Sequence, residues 1–328
     1  MKKNRFVRKS EFWSYYLDQD DNYRILEMGG VLSLEEKKYL FRKYVDVVNI
    51  ETSSYCNRKC KYCPVSKETS RSLNARMTEE MFDSIVGELK EIGFKKQIAL
   101  SMYNEPLFDD RIVSHIKKIR SNLEDTYIVL NTNGDKLTEN NLKQLLSNGL
   151  NQILITLHPN RNQEYDDEER QYALLQFLKR MKLEEYYDLR SVKKNRNITI
   201  DIQGEDTRIL ITCNNWERYG VDRGGAIDYL SITQRTSPCN EPFRNVCIAY
   251  DGKYKPCCDA YFAKAVDYGT IYDTNILDFY FGKKMTDLRR RCFLFDEKIG
   301  FCKGCNREDN SSIETVNKRT MLLEMTKG

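Results

Sequence analysis

Three cysteines near the start of the chain lie within eight residues of one another, in the pattern Cys56-x3-Cys60-x2-Cys63. Three thiolates in one loop can bind one centre, and three rather than four leave a coordination position open. In a [4Fe–4S] cluster, one iron would then lack a protein ligand and could bind a molecule from outside. A structural zinc ion would need a fourth ligand, and the nearest histidine is the distant His115. A zinc loop and three inert thiols remain the alternatives.

A second group of cysteines lies in the last third of the chain, where a predicted hairpin turns at Asp251–Gly252. The cysteines that flank this hairpin or form a later Cys-x2-Cys pair are Cys239, Cys257, Cys258, Cys302 and Cys305. Four thiolates from these positions would form a closed site, which can transfer electrons but has no iron to offer to a substrate. Spacing alone does not distinguish such a cluster from a four-cysteine zinc site, so both remain open.

The composition is that of a globular protein, since 40% of the 328 residues are hydrophobic and 31% are charged. No apolar run approaches the roughly 18 residues of a membrane span, and no apolar segment follows the basic N-terminus, so we expect a cytoplasmic protein. Eleven cysteines in a reducing compartment indicate metal binding or catalysis rather than disulfide bonds. The net charge of +4 is small, and we expect neither nucleic-acid binding nor membrane association.

Helix and strand patterns alternate from residue 45 onward. Strands are predicted at 45–51, 97–102, 126–130, 152–157, 197–202 and 208–212, and helices at 78–94, 111–120, 138–147 and 162–181. This alternation favours an α/β fold with a parallel sheet, as a partial (β/α)6-type barrel followed by a small cysteine-rich α+β extension. Active sites of barrels lie at the carboxyl ends of the strands, and the first cysteine loop follows the first strand. The predicted domains are therefore a helical lead-in (1–44), the barrel (45–225) and the cysteine-rich domain (226–328).

The first cysteine motif, with Tyr62 before its last cysteine, resembles the signature of the radical S-adenosylmethionine (SAM) enzymes. This resemblance implies that the three cysteines hold a [4Fe–4S] cluster whose open iron binds SAM. Reduction of the cluster would cleave SAM to methionine and a 5′-deoxyadenosyl radical, which abstracts a hydrogen atom from the substrate. Segments after the second and third strands resemble the family's "GEP" and "TNG" segments, with Asn104 in place of the usual glycine. The resemblance implies that the cofactor-binding residues are Tyr62 of the cysteine motif and, from these segments and the end of the fourth strand, Asn104, Glu105, Pro106, Thr132, Asn133, Thr156 and His158.

The late cysteines resemble the auxiliary-cluster extension called SPASM, and in particular its one-cluster form, twitch. The resemblance implies one auxiliary [4Fe–4S] cluster with the ligands Cys239, Cys257, Cys302 and Cys305. Cys258 competes with Cys257, although the family's spacing from Gly252 favours Cys257. The spare thiols are then Cys213, Cys247, Cys258 and Cys292. Two catalytic candidates remain: Cys213 ends a predicted strand, and Arg223 lies in a linker that resembles the family's "RGG" segment.

Together these features predict a radical SAM iron–sulfur oxidoreductase. Hydrogen abstraction, loss of a proton and transfer of an electron to the auxiliary cluster would dehydrogenate the substrate. Only 44 residues precede the barrel, too few for the peptide-binding domain common in peptide-modifying relatives. This favours a small polar substrate such as an amino sugar, an aminocyclitol or a nucleotide-linked sugar, with a flavodoxin- or ferredoxin-type reductant. The alternatives are a peptide epimerase or a maturase that forms thioether or carbon–carbon crosslinks, in which Cys213 or Cys258 could donate hydrogen for epimerisation, and a zinc-binding module that contacts RNA.

Overall fold

The computed structural model describes residues 12–19, 21–26, 31–66, 74–159, 163–188, 192–260 and 266–307. The helices are α1 (Phe12–Leu17), α2 (Leu34–Tyr44), α3 (Glu79–Ile92), α4 (Ile112–Asn122), α5 (Glu139–Ser147), α6 (Asp167–Met181), α7 (Trp216–Tyr219), α8 (Glu241–Arg244), α9 (Ile276–Phe281) and α10 (Lys283–Phe293). The strands are β1 (Val47–Ile50), β2 (Gln97–Ala99), β3 (Tyr127–Thr132), β4 (Gln152–Thr156), β5 (Val192–Lys193), β6 (Asn197–Gln203), β7 (Arg208–Asn214), β8 (Asn245–Ile248) and β9 (Tyr254–Lys255).

The chain packs into two compact units, which do not follow the order of the sequence. The first unit comprises residues 1–3, 50–78 and 97–220, and the second unit comprises residues 4–49, 79–96 and 221–328. Residues 1–11, at the start of the predicted lead-in, and 308–328, at the end of the predicted cysteine-rich domain, lie outside the described residues. The three domain boundaries proposed from the sequence stay predictions.

The sheet of the first unit has the strand order β5-β6-β7-β4-β3-β2 within the described residues. β2, β3, β4 and β7 run parallel to one another, and their centres are buried aliphatic side chains such as Ile128, Ile153 and Ile211. Buried aliphatic strands are typical of a parallel sheet covered by helices. The helices α4, α5 and α6 follow the parallel strands and bury apolar faces, as Leu174 and Leu178 do on α6. The α/β class predicted from the sequence is thereby confirmed.

One strand departs from the parallel arrangement that the sequence pattern predicts. β6 pairs antiparallel with β7, from Asn197 opposite Asn214 to Gln203 opposite Arg208. Residues 204–207 alone join the two strands, and a parallel crossover needs a dozen or more residues. The prediction of a parallel strand is therefore wrong for β6, because its connection to β7 is long enough only for a hairpin.

The second unit brings the N-terminal helices together with the cysteine-rich region. Trp13 and Tyr16 of α1 are buried and meet Phe243 edge-on, with ring centroids 5.2 and 5.5 Å away, and both rings also contact Phe293. Such aromatic pairs add about 0.5–1.5 kcal/mol to the free energy of burial. The strand order here is β1-β8-β9, with β8 and β9 antiparallel. The predicted helical lead-in is thus helical where the structure describes it, and it packs against the cysteine-rich region.

A buried arginine also joins the two ends of the sequence in this unit. Arg289 of α10 is fully buried and donates from Nε to the carbonyl of Ile25 at 3.0 Å. Its guanidinium carbon lies 4.5 Å from the ring centroid of Tyr280, a cation–π contact.

None of the helices in the described ranges has both the length and the apolar character that a membrane span requires.

Candidate active site

The first cysteine loop follows β1 and is closed by local hydrogen bonds. The amide of Cys63 donates to the carbonyl of Cys60 at 3.0 Å, and the hydroxyl of Ser66 donates to the carbonyl of Cys63 at 2.7 Å. Burial raises the pKa of the Cys56 thiol to about 12 and that of Cys60 to about 11. Ligation by iron would therefore have to displace protons from these thiols.

An ion pair fixes the cysteine loop to the ends of two strands of the first unit. Arg58, between the first two cysteines, forms a bidentate pair with Asp135, with Nε–Oδ2 at 2.8 Å and Nη2–Oδ1 at 2.6 Å. Its third nitrogen donates to the carbonyls of His158 and Pro159, beyond the end of β4, at 3.1 and 3.2 Å. Asn57 donates to the same carboxylate at 2.7 Å. Sequence reasoning missed this clamp, although Asp135 directly follows the segment that resembles "TNG".

Two predicted cofactor residues, Thr132 and Asn133, contact the buried carboxylate of a third, Glu105. Glu105 accepts hydrogen bonds from the hydroxyl of Thr132 at 2.6 Å, from the amide of Asn133 at 2.7 Å and from the amide of Leu107 at 3.2 Å. Its own amide donates to the carbonyl of Tyr55, next to the first cysteine, at 2.7 Å. Burial raises the pKa of Glu105 to about 7 against the opposing effect of these hydrogen bonds. The "GEP"-like and "TNG"-like segments therefore meet beside the cysteine loop.

The neighbours of Glu105 complete this part of the site. The side-chain oxygen of Asn104 accepts from the amide of Met102 at 3.1 Å, while its buried side-chain nitrogen has no hydrogen-bond partner among the described residues. A buried donor without a partner costs free energy, which a bound acceptor would recover. Pro106 begins the short 3-10 turn that Glu105 caps.

Two further predicted residues, Tyr62 and His158, contact each other. The Tyr62 hydroxyl lies 2.7 Å from Nδ1 of His158. Burial lowers the pKa of His158 to about 3, so the imidazole is neutral at physiological pH. At the end of β4, the hydroxyl of Thr156 lies 3.4 Å from the hydroxyl of Thr212 on β7.

Cys213 is not brought together with these residues. Its thiol is fully buried and donates to the carbonyl of Arg170 on α6 at 3.7 Å, and burial raises its pKa to about 12. Successive side chains of a strand point to opposite faces, so Cys213 lies on the face opposite Thr212. Its catalytic role stays a prediction.

The second unit contains a cavity lined by five cysteine side chains. These are Cys239, Cys257, Cys292, Cys302 and Cys305. The four predicted ligands of the auxiliary cluster are among them, and the fifth is Cys292, which the sequence left as a spare thiol. The thiol of Cys292 on α10 lies beside those of Cys239 and Cys302 in this lining. Its carbonyl also accepts from the amide of Cys239 at 2.8 Å.

Two other candidates lie beside this cavity rather than in its lining. Cys258 contacts Glu241 and Arg307, with sulfur distances of 3.9 and 3.7 Å. Arg223, in the left-handed conformation with φ of 57°, pairs with Asp259 at 2.5 Å. A substrate contact by Arg223 stays a prediction. Cys247, the last spare thiol, is buried on β8.

The donor sets fit two iron–sulfur clusters. Within the described ranges, no three His, Cys, Asp or Glu side chains converge closely enough to bind one metal ion. A [4Fe–4S] cluster makes a different demand, because each thiolate binds a separate iron atom. The first loop offers three thiols beside the partnerless amide of Asn104, which fits a cluster and a polar ligand. The second cavity offers enough thiols for a fully ligated cluster.

Models of two known families match the segments that contain the two groups of cysteines. The family model of the radical SAM superfamily matches residues 50–188, and that of the SPASM iron–sulfur cluster-binding domain matches residues 239–306. The chain therefore carries a radical SAM domain, followed along the sequence by a SPASM domain. The predicted class, a radical SAM iron–sulfur oxidoreductase, is confirmed, as is the cofactor set of SAM, a SAM-binding [4Fe–4S] cluster and an auxiliary cluster. Which residues bind them is not tested by this match.

The chain is also similar to individual proteins and to a solved structure. The chain is similar to the S-adenosyl-L-methionine-dependent 2-deoxy-scyllo-inosamine dehydrogenase of Niallia circulans, with 22% identity over 286 residues, which cover 86% of this chain and 99% of that protein. It is also similar to the GTP 3′,8-cyclase of Clostridium perfringens (strain SM101 / Type A), with 33% identity over 118 residues, which cover 36% of each chain. In fold it matches the crystal structure of BtrN in complex with AdoMet and 2-DOIA, with a TM-score of 0.60, 20% identity and coverage of 81% of this chain and 95% of that one.

Proposed function

We propose that this enzyme dehydrogenates a small polar molecule of the aminocyclitol or amino-sugar class, at a carbon that bears oxygen or nitrogen. The observation that carries the proposal is the thiol-lined cavity of the second unit, because a closed cluster there is an electron acceptor. The substrate class is supported by the similarity to the Niallia circulans dehydrogenase, 99% of which aligns with this chain. A flavodoxin- or ferredoxin-type protein is proposed as the reductant.

Residues of the first unit would hold the first cluster and SAM. Cys56, Cys60 and Cys63 would ligate three irons, and the free amide of Asn104 and the carboxylate of Glu105 offer a donor and an acceptor to a polar cofactor. The Arg58–Asp135 pair would hold the cysteine loop at the ends of β3 and β4. When bound and reduced at this site, SAM supplies a 5′-deoxyadenosyl radical that removes one hydrogen atom.

Residues of the second unit would hold the auxiliary cluster, with Cys239, Cys257, Cys302 and Cys305 as its ligands. The balance of a dehydrogenation requires such an acceptor. A CH–OH group that becomes C=O loses a hydrogen atom to the SAM-derived radical, which ends as 5′-deoxyadenosine, and then loses a proton to solvent. One electron then remains to be removed, and a fully ligated cluster held by these cysteines would accept it.

The environment of Cys213 favours dehydrogenation over epimerisation. An epimerase needs a hydrogen donor that can reach the substrate radical. The Cys213 thiol is buried under α6 and hydrogen-bonded to the carbonyl of Arg170. A thiol held in this way is poorly placed to donate a hydrogen atom, so we expect it to be dispensable.

The test uses anaerobically reconstituted enzyme with SAM, dithionite and a panel of aminocyclitols and amino sugars that includes 2-deoxy-scyllo-inosamine. We expect one substrate to lose two mass units and one equivalent of 5′-deoxyadenosine to form per product. Cys213→Ala should retain this turnover, whereas Cys60→Ala should abolish it. A product that keeps the substrate's mass in H2O and gains one deuterium in D2O, or a panel in which nothing is oxidised, would contradict the proposal.

A further inference from the structure

Two buried cations line the thiol cavity of the second unit. Arg235 and Lys298 are each only 2% exposed, and both belong to the cavity lining. They lie on adjacent segments, because the amide of Lys298 donates to the carbonyl of Arg235 at 2.9 Å. A lysine and an arginine are rarely buried to this extent unless an anion accompanies them.

Arg235 is oriented by two backbone carbonyls and one thiol. Its Nε donates to the carbonyl of Ser237 at 3.0 Å and its Nη2 to that of Pro238 at 2.5 Å. The remaining nitrogen, Nη1, donates to the sulfur of Cys305 at 3.5 Å. The backbone contacts therefore aim one N–H at a sulfur that we propose to be an iron ligand.

Lys298 is held by carbonyl groups alone. Its ammonium group donates to the carbonyls of Asp296 at 2.6 Å, Leu294 at 2.7 Å and Thr236 at 3.3 Å. In the part of the chain that the structure describes, no carboxylate forms an ion pair with Lys298 or with Arg235. Among the described residues, the sulfur of Cys305 is the one side-chain atom that accepts from either cation.

Other cations beside the same cavity are neutralised by protein carboxylates. Arg307 pairs with Glu241 at 3.1 Å and also with Asp259, and Arg223 pairs with Asp259 at 2.5 Å. Arg235 and Lys298 differ from these two arginines in having no carboxylate partner among the described residues. Burying a charge without a counter-charge is strongly unfavourable. A four-thiolate [4Fe–4S] cluster is a net anion whose negative charge grows on reduction, so it would supply the missing counter-charge.

We propose that Arg235 and Lys298 are the charge partners of the auxiliary cluster and set its reduction potential. Arg235 acts through an N–H···S hydrogen bond to Cys305, and Lys298 acts through its charge. Both are positioning residues that stabilise the reduced cluster more than the oxidised one and thereby raise its potential. The inference rests on the proposed function, in which Cys305 is a ligand of the electron-accepting cluster.

The first test needs no substitution at either cation. Cys56→Ala/Cys60→Ala/Cys63→Ala protein, which would retain only the auxiliary cluster, is produced with arginine labelled with 15N in the guanidinium group. We expect pulsed EPR of the reduced cluster to show a nitrogen coupling that changes from 14N to 15N with the label. Absence of this change, in protein that holds about four irons per chain, would overturn the role of Arg235.

The second test compares reduction potentials in the same background by EPR-monitored titration. We expect Arg235→Gln and Lys298→Gln each to lower the equilibrium constant for reduction of the cluster about tenfold. For one electron this corresponds to a reduction potential lower by about 59 mV. Arg235→Lys keeps the positive charge, so it should lower the reduction potential less than Arg235→Gln does. The matched control is Lys303→Gln, which removes an exposed cation between Cys302 and Cys305, where water screens the charge. We expect a smaller change there.

The outcomes separate this inference from the proposed function. If the triple-alanine protein holds no cluster, the proposed electron acceptor is wrong. If it holds about four irons and neither cation variant changes the potential more than Lys303→Gln does, only the charge-partner proposal is overturned. If a cation variant loses its iron, the isotope test on the parent protein decides.

Discussion

At the scale of single residues, the cavity of the second unit holds one thiol more than a four-thiolate cluster requires. Cys292 shares the cavity lining with Cys239 and Cys302, and its carbonyl accepts from the amide of Cys239, so it lies beside the proposed ligands rather than apart from them. We propose that it is not a ligand, because the sequence motif assigns the four positions to Cys239, Cys257, Cys302 and Cys305. Its S–H would then remain a hydrogen-bond donor to a ligand sulfur.

The corresponding prediction concerns iron content. In the Cys56→Ala/Cys60→Ala/Cys63→Ala background, Cys292→Ala should keep about four irons per chain. Cys302→Ala should lose most of the iron, because it removes a ligand from the same cavity. Iron and sulfide analysis after anaerobic reconstitution measures both variants. Loss of iron in Cys292→Ala with retention in Cys302→Ala would exchange the two assignments.

Glu105 carries a second prediction at this scale. Its carboxylate accepts three hydrogen bonds, two of them from Thr132 and Asn133. In Glu105→Gln, an amide N–H would face donors that now find an acceptor, so we expect the Kd for SAM to rise at least about tenfold. Equilibrium dialysis with the reconstituted protein measures this, with the exposed Glu91→Gln as control. An unchanged Kd would exclude Glu105 from the cofactor site.

Motifs predicted some of these residues and not others. Glu105, Thr132 and Asn133 were predicted from short segments that follow successive strands, and the fold brings those segments together. The Arg58–Asp135 pair and the contact of Arg235 with Cys305 join residues about seventy positions apart. No local pattern marks such a pair, because the sequence does not show which distant residue an arginine contacts.

At the scale of elements, the turn after β3 depends on a glycine. Gly134 has a φ of +75°, and a Cβ there would lie 2.9 Å from Cγ2 of Ile155 and 3.1 Å from the ring of Phe177. We expect Gly134→Ala to lower the free energy of unfolding of the first unit by about 2 kcal/mol. Gly87→Ala, in the middle of α3 with open space around it, should raise stability slightly in the second unit. Urea unfolding measures both, and equal effects would contradict the argument.

The contact between Tyr62 and His158, which links the cysteine loop to the end of β4, gives a prediction about pH. Burial holds the pKa of His158 at about 3, against 6.5 for an ordinary histidine. Between these values the unfolded chain binds more protons than the folded one, so the free energy of unfolding falls as pH decreases. At pH 5 this single group contributes a loss of about 2 kcal/mol. Between pH 7.5 and 5, His158→Gln should lose correspondingly less stability than the wild type, and equal losses would contradict the assigned protonation state.

Helix positions followed from local sequence more readily than strand directions did. α5 begins after Thr138, the predicted start, and its hydroxyl accepts from the amide of Asn141 in a capping box. The direction of β6 was predicted incorrectly because a periodic pattern does not record which neighbour a strand pairs with. The length of the connection, residues 204–207, was the available signal.

At the scale of the whole molecule, each cysteine site lies within a single compact unit. The first loop belongs to residues 50–78 and the second cavity to residues 221–328. The sequence indicated this separation, because a long stretch with the single thiol Cys213 lies between the two groups. It did not indicate that α1 packs on Phe243 and Phe293, since contacts across more than two hundred residues leave no periodic trace.

We propose that the first cluster binds SAM and that the auxiliary cluster accepts an electron, and the iron content of a variant without the first site tests this directly. Iron and sulfide are determined in anaerobically reconstituted Cys56→Ala/Cys60→Ala/Cys63→Ala protein. We expect about four irons per chain to remain, as one auxiliary [4Fe–4S] cluster. Retention of about eight irons would mean that spare thiols ligate a second auxiliary cluster. A protein without iron that holds zinc in the second unit would contradict the electron-accepting mechanism.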